Sequence, residues 1–252
     1  MKRKWILGVL LALVVVFLVA VVAVAFSLGA ILKKTVQRIG PDATKVDVKL
    51  KSAGVWIVGC RVELTGFVLG NPPGYKTPTS IDVGDVSVRV KARSVFSNKL
   101  ILKSIKVKAP VITWEGGWKE NNLTKIEKNL NDYIGSSSTA PDSTAPSLAP
   151  AKSERKLQVD DLLITGAKLQ VNTKLSGGRT LTLTIPEIHL TDLGTGPEGI
   201  TGVEVGQRAL HAVLIAATTE IAKNAGQLGT EGLNDAKGAA KKLGDKLKGL
   251  FH

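Results

Sequence analysis

The hydrophobic pattern divides the chain into three regimes. Trp5 through Leu32 contains no charged side chain, with Lys2, Arg3 and Lys4 before it and Lys33 and Lys34 after it. In hydrocarbon a backbone must satisfy its own polar groups. An uncharged run of 28 residues, longer than the roughly 20 that cross a bilayer core, therefore predicts one transmembrane helix, tilted or with ends in the headgroups. Ala23-Val24-Ala25 has the form of a signal cleavage site. The apolar stretch ahead of it exceeds a signal core of about 7–15 residues, so the reading is an uncleaved anchor. The basic flanks lean toward an inside N-terminus.

From Val46 the apolar period is two. Val46, Val48 and Leu50 alternate with Asp47 and Lys49; Val86, Val88 and Val90 with Ser87 and Arg89; Ile105 and Val107 with Lys106 and Lys108; Leu181, Leu183 and Ile185 with threonines. Such alternation predicts strands with one buried and one wet face, and favours an antiparallel sheet over a parallel core. Thr124-x-x-Glu127 reads as a capping box for a short helix whose Leu123, Ile126, Leu130 and Tyr133 share a face. The Ser/Thr/Ala/Pro-rich stretch from Gly135 to Pro150 has too little apolar surface to offset its ordering entropy and predicts a flexible linker.

A repeat brackets that linker. Set without a gap over Leu157–Val171, the stretch Leu100–Trp114 aligns Leu100 with Leu157, Leu102 with Val159, Ile105 with Leu162, Val107 with Ile164, Ile112 with Leu169, and Trp114 with Val171. Each copy is a strand, a break (Ala109-Pro110; Gly166-Ala167) and a strand, which predicts a sheet lengthened by stacked units.

After a second capping box, Thr201-x-x-Glu204, the period becomes helical, with Leu210, Val213, Leu214, Ala217 and Ile221 in one stripe. A last amphipathic stretch places Leu243, Leu247, Leu250 and Phe251 on one face and lysines off it. Gly238, Gly244 and Gly249 weaken that helix in water, which makes these four residues candidates for a membrane-surface helix beside the ordinary docked or frayed one. The expected organisation is a cytoplasmic tip and anchor (1–40), a β-rich unit (41–134), a linker (135–156), a second β-rich unit (157–200) and C-terminal amphipathic helices (201–252).

Charge changes this picture little. The chain carries 34 Lys/Arg against 21 Asp/Glu, a net of +13, but six of the basic residues flank the apolar run. With no zinc pattern, no RNP-like aromatic string and no dense basic stripe, no nucleic-acid partner is expected; weak attraction to anionic lipid is the better use of the charge. The lone Cys60 excludes an intramolecular disulfide framework. Gly70-Asn71-Pro72-Pro73-Gly74-Tyr75 lacks the charge and helix N-terminus of a phosphate loop, and Asn71, Pro72, Pro73 and Gly74 read as a rigid structural turn. His189 is expected to face outward from a strand, and His211 and His252 lie far from it, so no metal site is expected. Glu63, Glu115 and Glu120 show no paired-carboxylate signature, Trp56, Trp114 and Trp118 read as core or rim, and no G-x-S-x-G elbow occurs. Asn122-Leu123-Thr124 matches a glycosylation sequon. Neither an enzymatic activity nor a cofactor is expected.

Further residues carry a resemblance. Leu64-Thr65-Gly66, the Asn71–Gly74 turn and Ile81-x-Val83-Gly84-x-Val86-x-Val88-x-Val90 are followed by Ser94-Val95-Phe96. Ile101-x-x-x-Ile105-x-Val107-x-Ala109-Pro110-Val111-Ile112, Glu115 and Asn122-Leu123 complete the pattern. Behind one N-terminal membrane helix, this resembles the AsmA-like family of bacterial envelope proteins over roughly residues 1–195. The resemblance implies an inner-membrane single-pass anchor, N-terminus cytoplasmic and body periplasmic. It also implies a curved, taco-like antiparallel sheet with an apolar groove, and a link to phospholipid movement and outer-membrane assembly. Partners would be membrane lipid, with envelope proteins or further copies of the chain. Long family members stack many repeats; with about two, this chain reads as a short accessory or self-assembling unit. Candidate groove-lining positions are Val86, Val88, Val90, Ile105, Val107, Leu162 and Ile164. The alternative is a non-transporting, membrane-tethered β-sandwich scaffold or interaction module like the LEA-type domains; an open apolar groove separates the two.

Overall fold

The structure, a computed structural model, describes residues 2–138, 155–172 and 180–224, with side chains from Val22 onward. Helix α1 (Lys2–Thr44) is followed by strands β1 (Val48–Trp56), β2 (Arg61–Gly70) and β3 (Thr79–Val90). A 3₁₀ turn (Ala92–Phe96) leads to β4 (Lys99–Lys108) and β5 (Val111–Glu115), then helix α2 (Asn122–Ser138). Strands β6 (Lys156–Thr165), β7 (Lys168–Asn172), β8 (Leu181–Thr184) and β9 (Ile188–Leu193) precede helix α3 (Gly202–Lys223). Among the described residues no helix is long and apolar enough to cross a membrane. Most of the apolar run Trp5–Leu32 falls on positions whose side chains lie outside the described residues. The candidate surface helix with Leu243, Leu247, Leu250 and Phe251 also lies outside them, as do 139–154 of the expected linker.

α1 lies along the edge strand β1. A Cβ at Gly29 would come 2.3 Å from the Ala53 carbonyl oxygen, a Cβ at Gly40 would meet Val48 at 2.8 Å, and Lys33 Nζ donates to the Lys51 carbonyl at 2.8 Å. From Gly29 to Gly40 a helix rises roughly 16 Å, and from Ala53 back to Val48 a strand covers roughly the same distance. The two elements therefore run side by side in opposite directions. α1 stops after Pro41 with Lys45 in the left-handed region (φ 57°), and Asn129 Nδ2 donates to the Thr44 carbonyl at 2.7 Å. A side chain of α2 thus satisfies one of the carbonyls that a helix end leaves without a partner.

The described strands form one nine-stranded sheet. β1, β2 and β3 pair antiparallel in sequence order, and β3 pairs antiparallel with both β4 and β5. β4 then pairs with β6, and β5 with β7, in parallel. The paired residues are those the internal repeat aligns: Leu100 with Leu157, Ile105 with Leu162, Val107 with Ile164, Ile112 with Leu169, Trp114 with Val171. β8 and β9 close the far edge antiparallel to β7 and β6.

The expectation of an antiparallel sheet is corrected here: the sheet is mixed. Parallel neighbours need a long crossover; β5 and α2 lie between β4 and β6 in the chain, and β6 starts level with the start of β4. Three smaller corrections follow. The first residues of the expected linker, Gly135–Ser138, continue α2, because the Leu123–Leu130 face has already nucleated and buried that helix. The expected linker end and second-unit start are also moved, since β6 begins at Lys156. The Thr124–Glu127 box is not the cap: Asn121 Oδ1 accepts from the Thr124 N–H at 2.9 Å, and Glu127 is drawn to His211 instead. At α3 the Thr201–Glu204 capping box is present as expected, and Leu210, Val213, Leu214, Ala217 and Ile221 are all buried.

A seam crosses the whole sheet. Pairing brackets one transverse row, Lys51, Gly66, Gly84, Ala109, Gly166 and Pro186, with the register kept on either side of it. Gly66 (φ 65°), Ala109 (φ 46°) and Gly166 (φ 67°) are left-handed. One such residue shifts the alternation by one position, and a one-residue shift exchanges the faces of a strand. The apolar positions change parity at this row: Val62 and Leu64 give way to Phe67 and Leu69, Ile105 and Val107 to Ile112 and Trp114, Leu162 and Ile164 to Leu169 and Val171. Beyond the seam Ile112, Trp114, Leu169, Val171 and Ile185 join Leu123, Ile126 and the α3 stripe in one buried core.

Candidate functional site

The seven candidate lining residues stand together in the half of the sheet between the seam and the β1–β2 turn. Cross-strand pairing sets Val55, Val62, Val88, Ile105, Leu162 and Leu190 in one row. Ala53, Leu64, Val86, Val107, Ile164 and Ile188 form the next. Val90 pairs with Leu102 one step nearer the turn. The alternate positions Asp85, Arg89, Lys106 and Lys108 are exposed, so this half has an apolar and a charged face.

Burial is uneven along the rows. Leu162 is 3% and Ile164 5% exposed, within the core cluster that includes α3. Val86, Val88, Val90, Ile105 and Val107 are only partly buried. The face is thus closed over β6 and β9 and partly open over β3 and β4. The side chains of the two rows offer dispersion contacts and carry no ionisable group.

The Asn71–Gly74 turn stands at the opposite end of the sheet, between β2 and β3, and is part of a polar clamp. Asn71 Nδ2 donates to the Thr77 carbonyl at 2.8 Å, and Asn122 Nδ2 donates to Asn71 Oδ1 at 2.8 Å and to the Thr113 carbonyl at 2.7 Å. Asn122 Oδ1 accepts from the Glu115 N–H at 2.9 Å. The Glu115 carboxylate in turn accepts from the N–H groups of Lys76 (2.5 Å) and Thr77 (2.8 Å) and from Thr77 Oγ1. Burial pushes the Glu115 carboxyl up, but the Thr77 hydroxyl, the two backbone N–H groups and the Lys76 charge together hold it below the usual carboxylate range. Burial first, then the charges of Glu120 and Glu115, raises the neighbouring Tyr75 phenol. Asn122 is fully buried with its amide nitrogen engaged, so the sequon is closed to modification in the folded state.

The histidines are apart from both regions. His189 is half exposed, as expected of an outward strand position, and contacts Asp161 Oδ1 at 2.5 Å. His211 Nδ1 contacts Glu127 Oε1 at 2.5 Å and ties α3 to α2. Among the described residues no group of His, Cys, Asp and Glu could hold a metal ion. Trp114 is core, with Trp118 at a ring-centroid distance of 6.4 Å, and Trp56 is exposed at the sheet's end.

The sequence reading passed over Glu115 and Asn122 as functional positions. Their partners lie up to 51 residues away; the only local signal was an Asn followed by a helix of apolar period. Comparison with known proteins returns no matching family model, no matching curated protein and no matching solved structure.

Proposed function

We propose that this chain is a membrane-anchored, non-catalytic protein of the AsmA-like kind. Its apolar β face receives phospholipid acyl chains or supports envelope assembly, with α1 as a single-pass inner-membrane anchor, the N-terminus cytoplasmic and the sheet periplasmic. One observation carries the reading: Val86, Val88, Val90, Ile105 and Val107 are neighbours on one apolar face and, among the described residues, only partly buried at the margin of the core. Contiguous apolar surface that stays exposed is where binding sites form once it exceeds a few hundred Å². The length of the uncharged run and its basic flanks support the anchor.

The full burial of Leu162 and Ile164 favours the second reading, a tethered scaffold whose sheet face is closed by its own helices. Native mass spectrometry of the full chain, extracted from membrane in detergent, separates the two. Retained phospholipid that is lost in Val88→Asp supports lipid handling. A lipid-free protein, unchanged by that substitution, leaves the scaffold.

A further inference from the structure

The end of the sheet beside α1 has the composition of a membrane interface. Trp56, Ile57 and Val58 form the β1–β2 turn, and Val95 and Phe96 end the adjacent 3₁₀ turn; Val58 is 92% and Phe96 94% exposed. Residues 89–103, which run through this end, carry five basic side chains and no acidic one. On the same end Trp56, Arg61, Glu63, Arg89 and Lys103 line a shallow cleft of about 680 Å³, with Arg61 paired to Glu63 and the other two cations in excess. Arg155 Nη2 donates to the carbonyls of Ser94 and Ser97, which holds the 3₁₀ turn with Phe96 outward. A soluble surface gains nothing from presenting a tryptophan, three large aliphatic residues and a phenylalanine among arginines and lysines. A headgroup layer accepts all of them: the apolar and aromatic groups reach below the phosphates and the cations stay among them.

The position of this end is set by α1. Gly29 abuts Ala53, and Trp56 lies three strand residues further, roughly 10 Å, level with the helix near Val22. The uncharged run extends to Leu32. As a helix it would be roughly 42 Å long against a hydrocarbon core of roughly 30 Å. The surplus, about eight residues by the same rise, falls within the stretch Val22–Leu32 that runs beside β1 and the two turns. Val22, Val24, Phe26, Leu28 and Ile31 are exposed on that part.

We infer that the β1–β2 turn and the 3₁₀ turn insert into the headgroup layer of the bilayer that α1 crosses. The partly open apolar face then meets the membrane end-on, and the anionic headgroups sit against the basic side chains of residues 89–103. This rests on the anchor reading above but not on lipid transfer.

The test is depth-dependent quenching on the full chain reconstituted into phosphatidylcholine/phosphatidylglycerol vesicles. Cys60 (φ 48°) is first replaced by Asn, which tolerates the left-handed region. Single cysteines at Val58, Phe96, Phe26 and Lys76 then carry an environment-sensitive fluorophore, and circular dichroism checks each fold. The expected result is a blue shift and loss of emission on headgroup-proximal nitroxide lipid for V58C, F96C and F26C, with none for K76C at the far end. Quenching of F26C without V58C and F96C overturns the insertion and leaves the anchor. Silence at all three overturns both. Equal quenching of K76C overturns the end-on geometry.

Discussion

Asn122 Nδ2 lies 2.8 Å from Asn71 Oδ1 and 2.7 Å from the Thr113 carbonyl, joining the first turn of α2 to the β2–β3 turn through a fully buried amide. Truncation leaves several buried polar groups without partners, each costing about 1–3 kcal/mol. Asn122→Ala should therefore destabilise the protein by about 2–4 kcal/mol, read as a lowered urea midpoint, whereas Asn98→Ala on the exposed surface should change it little. Equal midpoints for the two variants would sink the clamp.

Glu115 makes the same clamp pH-sensitive. Its folded pKa lies below the ordinary value, so its stabilisation is fully present above the unfolded carboxylate pKa near ~4.3 and is lost as pH falls through the folded pKa. Glu115→Gln should be less stable than wild type at pH 7, and the gap should narrow as pH drops below that window. A gap that stays constant from pH 7 to pH 3 contradicts this role.

The seam gives opposite signs at two of its residues. Ala109 holds a left-handed conformation that costs a non-glycine residue roughly 1–2 kcal/mol, so Ala109→Gly should raise the melting temperature. Gly66 combines φ 65° with a built Cβ only 2.8 Å from Lys51 Cβ, so Gly66→Ala should lower stability by roughly 1–3 kcal/mol. Thermal scans of both decide the matter. A destabilised Ala109→Gly would mean that its methyl contacts outweigh the backbone strain.

Charge placed on the apolar face should act differently along one row. Val88 is partly open, and Leu162, in the same row beyond Ile105, is buried. An aspartate at 162 is an unpaired charge in the core and should abolish cooperative unfolding, while Val88→Asp keeps a native circular dichroism spectrum because its carboxylate reaches water. Loss of structure in both would identify a closed core across the whole row.

Gly29 is one of the contacts that seat α1 on β1, beside Gly40 on Val48 and Lys33 on the Lys51 carbonyl. Any side chain there meets the Ala53 carbonyl oxygen, so Gly29→Leu should separate helix from strand. Protease cleavage between Leu32 and Val46 should then accelerate, with the rest of the sheet intact. Unchanged cleavage would show that Lys33 and Gly40 suffice to keep the helix in place.

Strand positions, the face each strand buries, the α3 stripe and its Thr201 cap were legible in the chain because each depends on residues within a few positions of one another. The repeat was legible too, and its alignment coincides with the register between Ile105 and Leu162 and between Trp114 and Val171. Alternation, however, is the same for a parallel and an antiparallel neighbour. Only the tertiary arrangement of the strands sets β6 parallel to β4. The Asn71–Asn122 and His211–Glu127 contacts, the seating of Gly29 on Ala53 and the unequal cover over Val88 and Leu162 likewise join residues far apart in sequence. Side-chain period encodes burial one strand at a time; which groups meet, and which apolar positions stay open, is decided when the strands and helices pack.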